Sequence, residues 1–206
     1  MPTKELFDKK FVMAAVVLGA VYALVVVLIG KIIGMEAAGV AGIALSALFT
    51  GILKKFETLR FRRISDDKST WVDVPPINIW RVIVLTFAFF GAQYVLGFAS
   101  GLIPEKWLGE DGFLLFLAGL TLFIYFFLPF LMAKSFTRLR YSTVAFAVLL
   151  NQILSILMSF ALPRPELSYS MQYGLGPLLG AQGVWCLVYQ AVAILGVRLG
   201  LQAKFR

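Results

Sequence analysis

Polar and apolar positions alternate along this chain on the scale of whole segments rather than single residues. Six runs, at 11–30, 37–53, 82–103, 113–133, 141–162 and 177–197, contain no Asp, Glu, Lys or Arg. At 1.5 Å of rise per residue, roughly 20 helical residues cross the hydrocarbon core of a bilayer. The pattern therefore predicts an all-α fold, a polytopic integral membrane protein of six transmembrane helices forming a single membrane domain over residues 1–206.

The segments between the runs set the connectivity. Residues 30–36 are so short a link that the second span must return antiparallel beside the first. The stretch 54–81 is the longest polar segment; its start can prolong the second helix as far as Ser65, Asp66 and Asp67, and Pro75 and Pro76 end regular structure before the third span. Trp71 and Trp80 stand where interfacial indoles usually sit. The first run exceeds a secretory h-region and follows a tail of mixed charge, so it reads as a retained anchor rather than a signal peptide. Placing both termini in the cytoplasm puts 16 of the 19 Lys and Arg residues on the cytoplasmic side, leaving only Lys31, Lys106 and Arg164 outside. The positive-inside rule thus predicts an N-in/C-in topology, and a bacterial inner membrane if the source is bacterial. Two halves of three helices would then have opposite topology, but residues 1–103 and 104–206 share only hydropathy.

Within the second run, Ala38, Gly42, Ser46 and Thr50 recur every four residues and mark a small-residue face suited to close helix packing. This helix, residues 37–51, is expected to lie inside the bundle, with its stripe available to Ala15, Gly19 and Ala23 of the first span. Gly97 and Gly101 form a GxxxG match in the third run and signal close packing in the same way. The fourth run is rich in Phe, is expected to be peripheral, and carries Pro129 as a source of bending near its exit.

Composition narrows the chemistry. The chain of 206 residues is 60% hydrophobic and 15% charged, with no histidine and one cysteine, Cys186. That excludes a disulfide within one chain, a His-ligated haem, a His-based metal site and a histidine general base. HExxH, GxSxG, P-loop and paired Asp-rich metal motifs are missing. Asp66, Asp67 and Lys68 read as a solvated turn, and a thiol inside an apolar helix reads as inert packing. No enzyme is expected, and no cofactor from this chain alone. Bound lipids are expected between helices, and pigments or quinones, which can use contacts other than histidine, are left open.

The remaining candidates are neutral or peripheral. Gln93, Asn151, Gln152, Gln182, Cys186 and Gln190 lie inside the runs, with Gln182, Cys186 and Gln190 four apart on one face of the last helix. Amides in hydrocarbon need partners, so these residues predict either hydrogen bonds between helices or a polar cavity for a small solute or lipid headgroup. Glu36, at the external hairpin, is a solvated turn residue or a cation or proton ligand drawn into the bundle. Lys54, Lys55, Arg60, Arg62 and Arg63 fix topology, attract anionic headgroups, and offer a docking face for a partner. The net charge of +8 is distributed as membrane topology requires, and no nucleic-acid partner is expected. The expected function is a non-catalytic accessory or scaffold subunit packing with other membrane subunits. The alternatives are a transporter or channel component using the amides, and a sensor that docks a cytoplasmic partner through residues 54–81.

Overall fold

A backbone surrounded by hydrocarbon must satisfy its N–H and C=O groups internally, which leaves the helix as the available form for an uncharged run. The computed structural model describes residues 34–67, 78–100, 109–135, 139–161 and 175–204, with scattered positions between 21 and 33. Its helices are α1 (Met35–Asp67), α2 (Ile79–Ser100), α3 (Gly109–Ser135), α4 (Tyr141–Ala161) and α5 (Leu175–Lys204). Each of these five carries a stretch long and apolar enough to cross a membrane, Ala37–Lys55 in α1 and Tyr141–Met158 in α4 among them. The protein is therefore an α-helical membrane protein. The first expected span, including Ala15, Gly19 and Ala23, lies largely outside the described residues, as do Trp71, Pro75, Pro76 and Gly101.

The link between the first two spans is tighter than residues 30–36. Lys31 and Ile32 are still helical, Ile33 N donates to Ile29 O at 2.8 Å, and α1 begins at Met35. The reversal rests on Gly34, whose φ of 118° is open to glycine and strained for residues with a Cβ. Ala38 N then donates to Gly34 O at 3.2 Å, which closes the first turn of the next helix. With no breaker before Ser65, α1 runs for 33 residues and, at 1.5 Å each, its length exceeds a bilayer core of ~30 Å. Its final turns therefore project beyond the membrane surface.

The small-residue helix is not the most enclosed one. Of the spanning stretch of α4, 61% is buried, against 33% for that of α1, which leaves Val40, Leu48 and Ile52 exposed. The reason is position: α4 packs against α1, α2 and α5, and α5 packs against α1, α3 and α4. The core between them is lined by Leu85, Phe89, Tyr125, Val144, Val148 and Val197, all nearly or fully buried.

Two glycine seams hold α5 in place. A Cβ on Gly42 would stand 2.6 Å from the backbone of Gly183, and one on Gly183 would strike the carbonyl oxygen of Gly39. The α1 stripe thus faces the last helix. On the other side of α5, Gly196 and Gly200 sit directly beneath the carbonyl oxygens of Phe126 and Phe130 in α3. The Phe-rich α3 has two faces: Leu115, Phe116, Phe123 and Phe127 are exposed, whereas Tyr125 and Pro129 are fully buried. The helix continues through Pro129 to Ser135.

Candidate functional site

Neutral polar side chains from all five described helices meet inside the bundle. Tyr125 of α3 is the centre of the first group. Its hydroxyl oxygen lies 2.9 Å from Gln93 Nε2 of α2 and 2.6 Å from both Asn151 Nδ2 and Gln152 Nε2 of α4. Asn151 Nδ2 also donates to Gln93 Oε1 at 3.0 Å. A hydroxyl placed beside three amides joins α2, α3 and α4 at one point. Such bonds between membrane helices contribute about 0.6 kcal/mol each on average.

The second group joins α1, α4 and α5. Gln190 Nε2 donates to Thr50 Oγ1 at 3.1 Å and to the Ala145 carbonyl at 2.9 Å, and Thr50 Oγ1 donates back to Ser46 O at 2.9 Å. Ser46 Oγ and Cys186 Sγ are 3.1 Å apart. The close backbone approach at Gly42 and Gly183 is what brings these short side chains within reach. Tyr125 and Tyr189 stack at 4.3 Å with 12° between their planes, so the aromatic ring of the first group leans on α5 one residue before Gln190. Thr86 adds a tie from α2 to the Ala147 carbonyl of α4 at 3.3 Å.

The sequence candidates are distributed as follows. Gln93, Asn151 and Gln152 share the first group, and Cys186 and Gln190 belong to the second with Ser46 and Thr50. Ala38 and Gly42 are buried on the same α1 face. Gln182 and Gly97 occupy helical positions whose side-chain surroundings lie outside the described residues, and the same holds for Glu36, Arg60, Arg62 and Arg63. Lys54 and Lys55 are exposed. Among the described residues no group of three Cys, Asp or Glu side chains gathers as a metal site would require.

Two participants carry no obvious sequence signal of their own. Tyr125 is hidden among phenylalanines, and only its hydroxyl, four residues from Thr121 on the same helix, hints at a polar neighbour. Glu57 lies in the basic segment, yet it stands seven residues after Thr50 and eleven after Ser46, on the continuation of the small-residue face. There its carboxylate accepts from Tyr141 N at 2.8 Å, Ser142 N at 3.4 Å and Ser142 Oγ at 2.5 Å. The two backbone N–H groups are orphan donors of the first turn of α4, so an acid on one helix caps the start of another. Burial pushes the Glu57 carboxyl above its ordinary value, opposed by the Ser142 hydroxyl, the two backbone N–H groups and the charge of Arg140.

The arrangement is an uncharged hydrogen-bonding interior closed at one end by a buried acid on a helix start. It can hold helices in register and can hydrogen-bond a neutral molecule. Compared with known protein families, with curated proteins and with solved structures, the chain matches none.

Proposed function

We propose that this chain is a non-catalytic integral membrane subunit, an accessory or scaffold component that packs within or beside a larger membrane assembly. On this reading it has six spans with both ends cytoplasmic in a bacterial inner membrane, and the basic segment after α1 rests on anionic headgroups. The observation that supports the reading is the direction in which its side chains point. Neutral polar groups from all five described helices turn inward onto one another, whereas large apolar side chains face outward, with Phe116, Phe123 and Phe127 exposed on α3 and Phe87, Val95 and Phe98 on α2. A bundle built this way presents packing surface and little chemistry. Photo-crosslinkers placed at Leu115, Phe123 and Phe98 in native membranes test it: discrete adducts of defined mass with a membrane protein are expected at one of these faces, and lipid adducts alone at every position would refute it.

A second reading, a transporter or channel component for a small neutral solute, is favoured by one observation. Asn151, Gln152 and Gln190 are buried, and the oxygen of each side-chain amide lacks a partner among the described residues. Solute flux into vesicles that responds to Asn151→Leu in a folded variant would move the balance to this reading.

A further inference from the structure

The polar group at Tyr125 is not satisfied by the described residues alone. A phenol hydroxyl has one proton to give and two lone pairs, yet three amide nitrogens lie within 2.9 Å of Tyr125 Oη. Two of them can donate to it, and the third amide must present its oxygen and take the hydroxyl proton. If Gln152 turns over, its oxygen is satisfied and Asn151 Oδ1 remains unpaired. If Asn151 turns instead, it loses its donation to Gln93 Oε1, and Gln152 Oε1 remains unpaired. If Gln93 turns, Asn151 Oδ1 and Gln152 Oε1 both remain unpaired. In each orientation at least one buried amide oxygen is left over among the described residues. Each would cost about 1–3 kcal/mol if nothing met it.

We infer that the cluster of Asn151, Gln152 and Tyr125 binds a small neutral hydrogen-bond donor, of the size and class of water. Size follows from the enclosure. Tyr125 and Asn151 are 0% exposed and Gln152 is 1% exposed, while Phe89 at 4.7 Å and Tyr189 at 4.3 Å close over the Tyr125 ring. Neutrality follows from the walls: the cluster holds no carboxylate to offset a cation, and an unpaired ion in such a place carries a desolvation penalty of several kcal/mol. Water needs two to four polar partners, and the amides of Asn151 and Gln152, with their unmatched oxygens, supply them. The inference rests on this hydrogen-bond count and stands apart from the assembly reading.

The test is water-edited solid-state NMR on the whole protein in lipid vesicles, labelled at Asn and Gln. At short mixing times, polarisation from water should reach the side-chain amides of Asn151 and Gln152 as it reaches exposed Gln202. In the Gln152→Met variant, transfer to Asn151 should fall while Gln202 is unchanged. Transfer to Gln202 with none to Asn151 or Gln152 in the unmodified protein would overturn the proposal, even if the variant fails to fold. Full transfer to Asn151 in a folded Gln152→Met variant would overturn it as well.

Discussion

One methyl group distinguishes two glycines of the same helix. In Gly42→Ala the new Cβ would stand 2.6 Å from the carbonyl carbon and oxygen of Gly183, where ordinary contact begins at 3.4 Å. The obstacle is backbone, so α1 and α5 must part locally by about 0.8 Å, the difference between those two distances. The same displacement would stretch the Gln190–Thr50 contact of 3.1 Å past useful hydrogen-bonding length and weaken that between Ser46 and Cys186. Overpacking of this kind costs typically ~1–3 kcal/mol, and one interhelical bond adds roughly 0.6 kcal/mol, so a loss of about 2–4 kcal/mol is expected. Gly51→Ala makes the identical chemical change on the exposed side of α1, where nothing lies within 4 Å. It should gain ~0.5–1 kcal/mol from helix propensity. Reversible unfolding in mixed micelles titrated with SDS, followed by helical circular dichroism, measures both. Equal shifts for the two variants, or an unperturbed Gly42→Ala, would refute the glycine seam.

Further outcomes follow from the site. Tyr125→Phe removes the hydroxyl that three amides surround and should destabilise the bundle by ~1–3 kcal/mol in the same titration; no loss would mean that the amides are satisfied elsewhere. Cys186, fully buried against Ser46, should resist maleimide in intact vesicles and react once the protein is unfolded, and rapid labelling of the folded protein would contradict its placement. Glu57 supplies a pH dependence. Its folded value is raised, so between the ordinary carboxyl range near 4.5 and that higher value the folded state binds more protons than the unfolded one. Its contribution to stability is therefore fully present below the ordinary value and is lost as pH rises through the folded one. Glu57→Gln should abolish that part of the pH slope, and identical slopes for the two proteins would count against the buried cap.

The five described helices were legible in the sequence because their signal is a solvent requirement. An uncharged run of some 20 residues has few alternatives in hydrocarbon, and α2, α4 and α5 begin or end within a few residues of charged or turn-forming positions. The small-residue face of α1 was legible for the same kind of reason, since only small side chains permit backbone contact. Its partner was not: a stripe on one helix is compatible with any other small stripe, and Gly183, lying between Gln182 and Cys186, belongs to a face that its amides had already marked as polar. The central position of α4 was also hidden, because all the runs are apolar and enclosure depends on neighbours rather than composition. Tyr125 and Glu57 illustrate the limit most clearly. Each takes its role from residues distant in sequence, the amides of α4 for Tyr125 and the first turn of α4 for Glu57; the small-residue period places Glu57 on the inner face of α1 but does not name the helix start it caps.

Native mass spectrometry of complexes ejected from the source membrane tests the proposed place of this chain as one subunit of a larger membrane assembly. The chain should be observed in a particle whose mass requires other membrane proteins in fixed stoichiometry. A chain that appears only as a monomer or as a homo-oligomer with bound lipid would contradict it.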